Sequence, residues 1–340
     1  MSKILAGDIG GTNTRLALFE QCSGAPPVMI LQRESYSATW TCLEDAIAAF
    51  LGPEKASVAA AAFGVAGAVT DGVSRLTNLS WTVDTASLQK ALGFQAVHVF
   101  NDLEAVALGL ESLRPDDLLQ LNAGTAKASG TKAVIAAGTG LGHAALHKGR
   151  DNQPCPIASE GGHASLAATN QRQLELLTFL LDNKIEASWE SVLSGAGLVR
   201  IHEFLRQRAG KLRTPAWLAR ARASGEDAAG AISKMALSKG DGFCVEALDM
   251  FVEYYGNQAG NLALTLMATG GVFIAGGIAP RISARLLADD TFIKAFARGR
   301  QKDLLAAIPV HIVVHKNPGM LGAAAFAAQV YRKESTNDRQ

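Results

Sequence analysis

The chain has 340 residues and is 48% hydrophobic, which supplies a substantial core, excludes a disordered polymer and favours two domains over one. Its 32 basic and 31 acidic residues nearly cancel, so no general field draws it toward nucleic acid or a membrane surface, while a compact anionic ligand stays compatible with it. Cys22, Cys42, Cys155 and Cys244 are far apart and form no C-x-x-C pair; this indicates neither a zinc site nor a disulfide framework, and the thiols read as reduced and structural.

The N-terminus carries one lysine and a short apolar run, too brief for a signal peptide and better read as a first strand, which predicts a cytoplasmic protein. Strand signals fall at residues 4–5, 16–19, 57–65 and 97–100, and helical spacing at 41–51 and 103–113. That alternation predicts α/β architecture. A polar, small-residue stretch over 114–132 places a domain junction near Arg114, after which strand signals resume at 133–137 and 143–147. The second half is richer in helix, with apolar spacing of three and four over 169–183, 197–208, 227–238 and 241–269. Gly256 and Gly260 lie four apart on the longest of these, beside Glu246, Asp249 and Glu253, so they predict close packing inside a soluble fold rather than a membrane dimer. Residues 262–278 are apolar enough to suggest a membrane span, but Gly270-Gly271 and Gly276-Gly277 break them; they read as a helix end and a buried strand. Closing strands are expected at 272–275 and 310–314, a last helix at 320–331, and a frayed tail from Lys333.

Residues 5–12 and 135–142 each join an apolar strand to a glycine-rich turn and a second apolar strand. This weak internal repeat implies two similar half-domains facing each other. Glycines let backbone N–H groups crowd around phosphate oxygens. The first turn, Gly7-Asp8-Ile9-Gly10-Gly11-Thr12-Asn13, also offers hydroxyls, an amide and the Asp8 carboxylate, which can hold Mg²⁺ through water. The competing explanation is a tight hairpin with Asp8 as a turn residue. Gly138, Thr139 and Gly140 form a second cradle, and Gly276-Gly277 a third glycine surface suited to a nucleotide's base and ribose. No P-loop pattern occurs, and neither turn completes G-x-G-x-x-G, so a dinucleotide fold loses its main support.

On the acceptor side, Asn101-Asp102 ends a strand at the carboxyl edge where α/β ligands bind. Asp102 at a helix start is favoured in its ionised form and can accept a proton from a sugar hydroxyl, although an aspartate there can equally be a helix cap. Glu160 and His163 stand on a flexible turn, spaced to grip neighbouring hydroxyls, and Glu190 adds an acceptor unless it merely stabilises a helix's first turn. His98, His143, His147, His202, His311 and His315 have no such context and read as structural, and no H-E-x-x-H pattern is present.

With these motifs in order, the sequence resembles the bacterial glucokinase family, within the group of hexokinase, actin and heat-shock ATPases. Residues 7–15 are similar to its first phosphate motif, 138–142 to its second, 273–280 to its adenosine motif and 317–323 to its closing helix signature. The resemblance spans about residues 7–325. It implies a two-domain actin-like ATPase (ribonuclease H-like) fold, with a cleft between a small domain of 1–114 plus 317–335 and a larger, more helical domain of 115–316. It further implies ATP and Mg²⁺ as cofactors, glucose bound by Asn101, Asp102, Glu160, His163 and Glu190, and Asp102 as general base in making glucose 6-phosphate for glycolysis. Residues 64–69 lack the proline often found there, and no cysteine-rich zinc motif follows His163 as in the related repressor/kinase family, which favours the zinc-free branch. A kinase for another hexose and a sugar sensor without turnover are the alternatives. A homodimer is the assembly that symmetry favours, but no segment demands one.

Overall fold

The structure, a computed structural model, describes residues 2–21, 25–76, 79–149 and 151–337. By its internal contacts the chain divides into two compact units, 1–115 with 146–158 and 315–340, and 116–145 with 159–314. The division expected from the sequence differs mainly in residues 146–158, which group with the first unit.

In the first unit, β1 (Lys3–Ile9), β2 (Asn13–Glu20), β3 (Val28–Tyr36) and β4 (Val58–Val65) precede a small sheet of β5 (Val69–Thr70), β6 (Val73–Arg75) and β7 (Thr82–Asp84), then β8 (Ala96–Asn101). The main sheet has the order β3-β2-β1-β4-β8. β1, β4 and β8 run parallel, and Ile9, Val65 and Asn101 end them in one row. β4 is apolar throughout, and β1 is apolar apart from Lys3 and Asp8, because both faces are covered. Leu5, Ile9 and Phe63 pack with Ile47 and Phe50 on one side. Ile4, Ala6, Ala60 and Ala62 meet Met320, Ala323, Ala324 and Ala327 of the helix Pro318–Asn337 on the other. That helix crosses Asp102–Gly109 with backbones touching: a methyl on Gly322 would strike the Ala105 carbonyl, and one on Gly109 the Pro318 carbonyl.

The second unit is built on a second sheet, of order β12-β11-β10-β13-β14-β9, made of β9 (Leu118–Asn122), β10 (Lys132–Ala137), β11 (Leu141–Lys148), β12 (Pro154–Ser159), β13 (Gly271–Ala275) and β14 (Val310–Val313); the end of β11 and most of β12 fall in residues 146–158. Its first five positions repeat the order of the first sheet, with β10, β13 and β14 parallel in place of β1, β4 and β8. The repeat seen at 5–12 and 135–142 is therefore a repeat of whole sheets. β9 lies inside the stretch read from the sequence as polar linker, paired antiparallel with β14.

The core of this unit gathers around the helix Gly242–Leu266, whose Phe251, Tyr254 and Tyr255 are fully buried with Phe292 and Phe296. Gly256 and Gly260 let the Phe292 and Phe296 carbonyls approach that helix directly, as their spacing predicts. The strand expected at 272–275 is fully buried. Among the described residues no helix is long and apolar enough to cross a membrane. Cys42, Cys155 and Cys244 are free thiols, and Cys22 lies outside the described residues. The last helix continues past Lys333 to Asn337, and the rest of the tail expected to fray, 338–340, also lies outside them.

Candidate active site

In the first unit, three loops leave the row at which the parallel strands end. The β1–β2 turn holds Gly10, Gly11 and Thr12, while Gly7, Asp8 and Ile9 belong to β1 and Asn13 to β2. The Gly10 N–H donates to the Asn13 carbonyl (2.9 Å), closing the turn. Ser37, absent from the sequence reading, braces it from below: its Oγ donates to the Gly10 carbonyl (2.7 Å) and its N–H to the Thr12 carbonyl (2.8 Å). Gly7 has a packing role, since a Cβ there would sit 2.6 Å from Phe63 Cδ1.

Asp8 and Arg15 are cross-strand partners, with Arg15 Nη1 donating to Asp8 Oδ2 at 3.0 Å and Nη2 to Glu34 Oε1 at 2.9 Å. Burial pushes the Asp8 carboxyl above its ordinary range against the pull of Arg15. Its Oδ1 has no hydrogen-bond partner among the described residues, so one carboxylate oxygen is available at the turn.

Asn101 terminates β8 and caps the helix Asp102–Gly109, its Oδ1 accepting from Leu103 N–H (2.9 Å) while Glu104 accepts from Asn101 N–H (3.0 Å). The N-cap residue is thus Asn101 and not Asp102. Asp102 stands at the first helical position, half-buried, its Oδ1 accepting from Leu103 N–H at 2.9 Å. Asn101 Nδ2 donates to the Gly67 carbonyl (3.0 Å), tying the third loop to this pair. Gly64 lets the helix begin against β4, because a Cβ there would lie 2.8 Å from Ala105 Cβ.

In the second unit, Gly138, Thr139 and Gly140 form the β10–β11 turn, with Gly138 N–H donating to the Gly140 carbonyl (2.8 Å). Gly276 follows β13 at φ 83°, and a Cβ on it would lie 2.5 Å from the Ala137 carbonyl oxygen, so these two turns adjoin. Gly277 opens the short helix Ile278–Arg281 with nothing within 4 Å of its missing Cβ. The buried Tyr255 hydroxyl sits where the strands part, accepting from Ala137 N–H (3.2 Å) and reaching the Ala275 carbonyl (3.4 Å).

Glu190 lies in a turn ahead of the helix Gly195–Arg208, not in a helix's first turn as its alternative reading held. Its Oε2 accepts from Leu141 N–H (2.9 Å) beneath the glycine turn, and its own N–H donates to the Gly162 carbonyl (2.8 Å). It joins the phosphate-type turn to the turn bearing Glu160 and His163. Those two side chains are exposed, with no hydrogen-bond partner among the described residues.

Beneath them His143 is buried against Gly161, and burial pushes its imidazole down to about 4. The unfolded chain therefore takes up a proton below about pH 6.5 that the folded chain refuses until about pH 4. Stability from this group is complete above pH 6.5 and is lost as pH falls toward 4, by about 3 kcal/mol. Thermal melts across that window should show the Tm of the wild type falling more steeply than that of His143→Gln.

The sequence model of the Glucokinase family matches residues 5–330. A curated glucokinase of Nostoc sp. is 39% identical, covering 97% of this chain and 100% of the relative. The crystal structure of a glucokinase from an Antarctic psychrotroph is 31% identical with a TM-score of 0.84, covering 97% of this chain and 99% of that one. A ROK family glucokinase from Streptomyces griseus, solved with glucose and AMPPNP, is 19% identical with a TM-score of 0.63 over 96% and 100% of the two chains, a likeness of fold. The doubled sheet order is thus that of the actin-like ATPase fold, and the chain belongs to the glucokinase family.

Proposed function

We propose that this protein transfers the γ-phosphoryl group of ATP to the 6-hydroxyl of D-glucose, releasing glucose 6-phosphate and ADP. The observation that carries the reading is the common row of Ile9, Val65 and Asn101, which brings a glycine turn and the Asn101–Asp102 pair off one sheet edge. Asp102 accepts the proton of the attacking hydroxyl, and Asn101, Glu160 and His163 take the sugar's other hydroxyls. Glu190 supports the turn of Glu160 and His163 as well as adding an acceptor.

In the turn closed by Gly10 and in the one closed by Gly138, the backbone amides of Gly11 to Asn13 and of Thr139 and Gly140 hold phosphate oxygens, with Gly276 and Gly277 against the nucleoside. Nucleotide binding at such turns is in keeping with the AMPPNP found in the ROK family relative. Asp8, with one oxygen engaged by Arg15 and one available, suits an ion that keeps most of its waters and needs one or two carboxylates beside phosphate. Bound there through water, Mg²⁺ would neutralise charge developing on the γ-phosphoryl. The protein works in the cytoplasm; a homodimer is the assembly that symmetry favours, though no segment demands one.

ADP release measured with a panel of hexoses tests the assignment. Glucose-dependent ADP release, with the highest kcat/KM for glucose, is expected. ADP release best supported by mannose or an amino sugar would reassign the acceptor, and binding without release would reduce the protein to a sensor.

A further inference from the structure

Away from these turns, the fold assembles a group that no local sequence pattern announces. His202 lies on the helix Gly195–Arg208, and Asp241 and Cys244 open the helix Gly242–Leu266. One ligand atom from each comes within 4.8 Å of the others. His202 is fully buried, and neither of its ring nitrogens has a hydrogen-bond partner among the described residues. An imidazole sealed from water with both nitrogens unused calls for a ligand, since buried polar atoms are nearly always satisfied. Asp241 and Cys244 are three residues apart across a helix start, so both face the same partner. Asp241 Oδ1 accepts from the N–H groups of Phe243 (2.9 Å) and Cys244 (3.1 Å), which leaves its second oxygen outside the cap.

We propose that His202, Asp241 and Cys244 form a structural site for a zinc-class divalent cation, clamping the two helices together. One imidazole, one carboxylate and one thiolate are the donors such ions take, and hard Mg²⁺ or Ca²⁺ would not select a thiolate. The half-exposed Asp241 marks the side from which the ion and a fourth ligand, a water, enter. Ligand atoms around tetrahedral zinc lie roughly 3.5 Å apart, so the group must close by about 1 Å, within the reach of side-chain torsions. Binding replaces the Cys244 S–H bond by S–metal and releases that proton to water. The thiolate and carboxylate then balance the dication, which matters because Arg206 and Arg222 stand nearby. Arg222 is itself paired with Glu203 at 3.4 Å, and Arg206 stacks over Phe243.

Chelator-stripped full-length protein titrated with Co²⁺ tests the site. One equivalent should bind and give a thiolate-to-cobalt charge-transfer band, and Zn²⁺ should displace the cobalt and raise the Tm. Cys244→Ser should abolish the band, and His202→Gln should weaken Co²⁺ binding by about a hundredfold or more, since loss of even an outer partner can cost that much. Should Cys244→Ser not fold, Asp241→Asn keeps a capping oxygen and should weaken binding likewise. Absence of the band at one equivalent, or its survival in Cys244→Ser with loss on replacing Cys42 or Cys155, overturns the proposal.

Discussion

Asp102→Asn is expected to lower kcat for glucose by about 10²–10⁴-fold, the range that a positioned general base supplies, while changing KM far less. The amide keeps an oxygen where Asp102 Oδ1 accepts from Leu103 N–H, so the helix start should persist; only the proton acceptor is lost. Because Asn101 already provides the cap with Glu104, loss of capping cannot account for a fall in rate. Steady-state kinetics with coupled ADP detection, beside a thermal melt of the same preparation, separates chemistry from folding. A variant that keeps the wild-type kcat would remove Asp102 from the reaction and leave it as a helix residue.

The second large effect is expected on stability. Gly322→Ala adds one methyl where the helices Asp102–Gly109 and Pro318–Asn337 meet backbone to backbone, and the group it strikes is the Ala105 carbonyl, which no rotamer change can move aside. Overpacking of this kind costs about 1–3 kcal/mol and sometimes more. The helices must separate, and the one displaced carries Asp102 at its start, so kcat should fall together with the Tm. Differential scanning calorimetry gives the first quantity and the ADP assay the second. Gly242→Ala, where a new methyl meets nothing within 4 Å, is the matched control and should leave the Tm unchanged or slightly raised. Equal melts for wild type and Gly322→Ala would mean that the crossing is looser than described.

What could be read before folding follows from how local each signal is. Strands 3–9, 58–65 and 271–275 are nearly pure apolar runs because both their faces are covered, and the glycine turns advertise themselves by composition. β3 is hard to read in the sequence because its apolar run, Val28 to Leu31, is short, does not alternate and passes into the polar Gln32-Arg33-Glu34-Ser35; in the fold those four apolar residues lie exposed on an edge strand. β9 was masked by its polar neighbourhood, since only its pairing with β14 distinguishes it from a linker.

Among site residues, Ser37 was illegible: an isolated serine gains its place under Gly10 only when β3 returns the chain beside β2. Glu190 was noticed for its carboxylate, but its link to Leu141 N–H across 49 positions is a product of the fold. The same holds for His202, read as structural, whose distance in sequence from Asp241 and Cys244 defeats any search for local spacing.

The phenol oxygen of Tyr255, lodged between the diverging ends of β10 and β13, has a thermodynamic consequence for any molecule held there. Parallel strands that separate leave an amide with no neighbour in the ladder, and here that of Ala137 is already satisfied from within the protein. The gap at the sheet's end is therefore a finished surface before anything arrives, and the ordering entropy that a floppy receptor would surrender on association has been spent during folding.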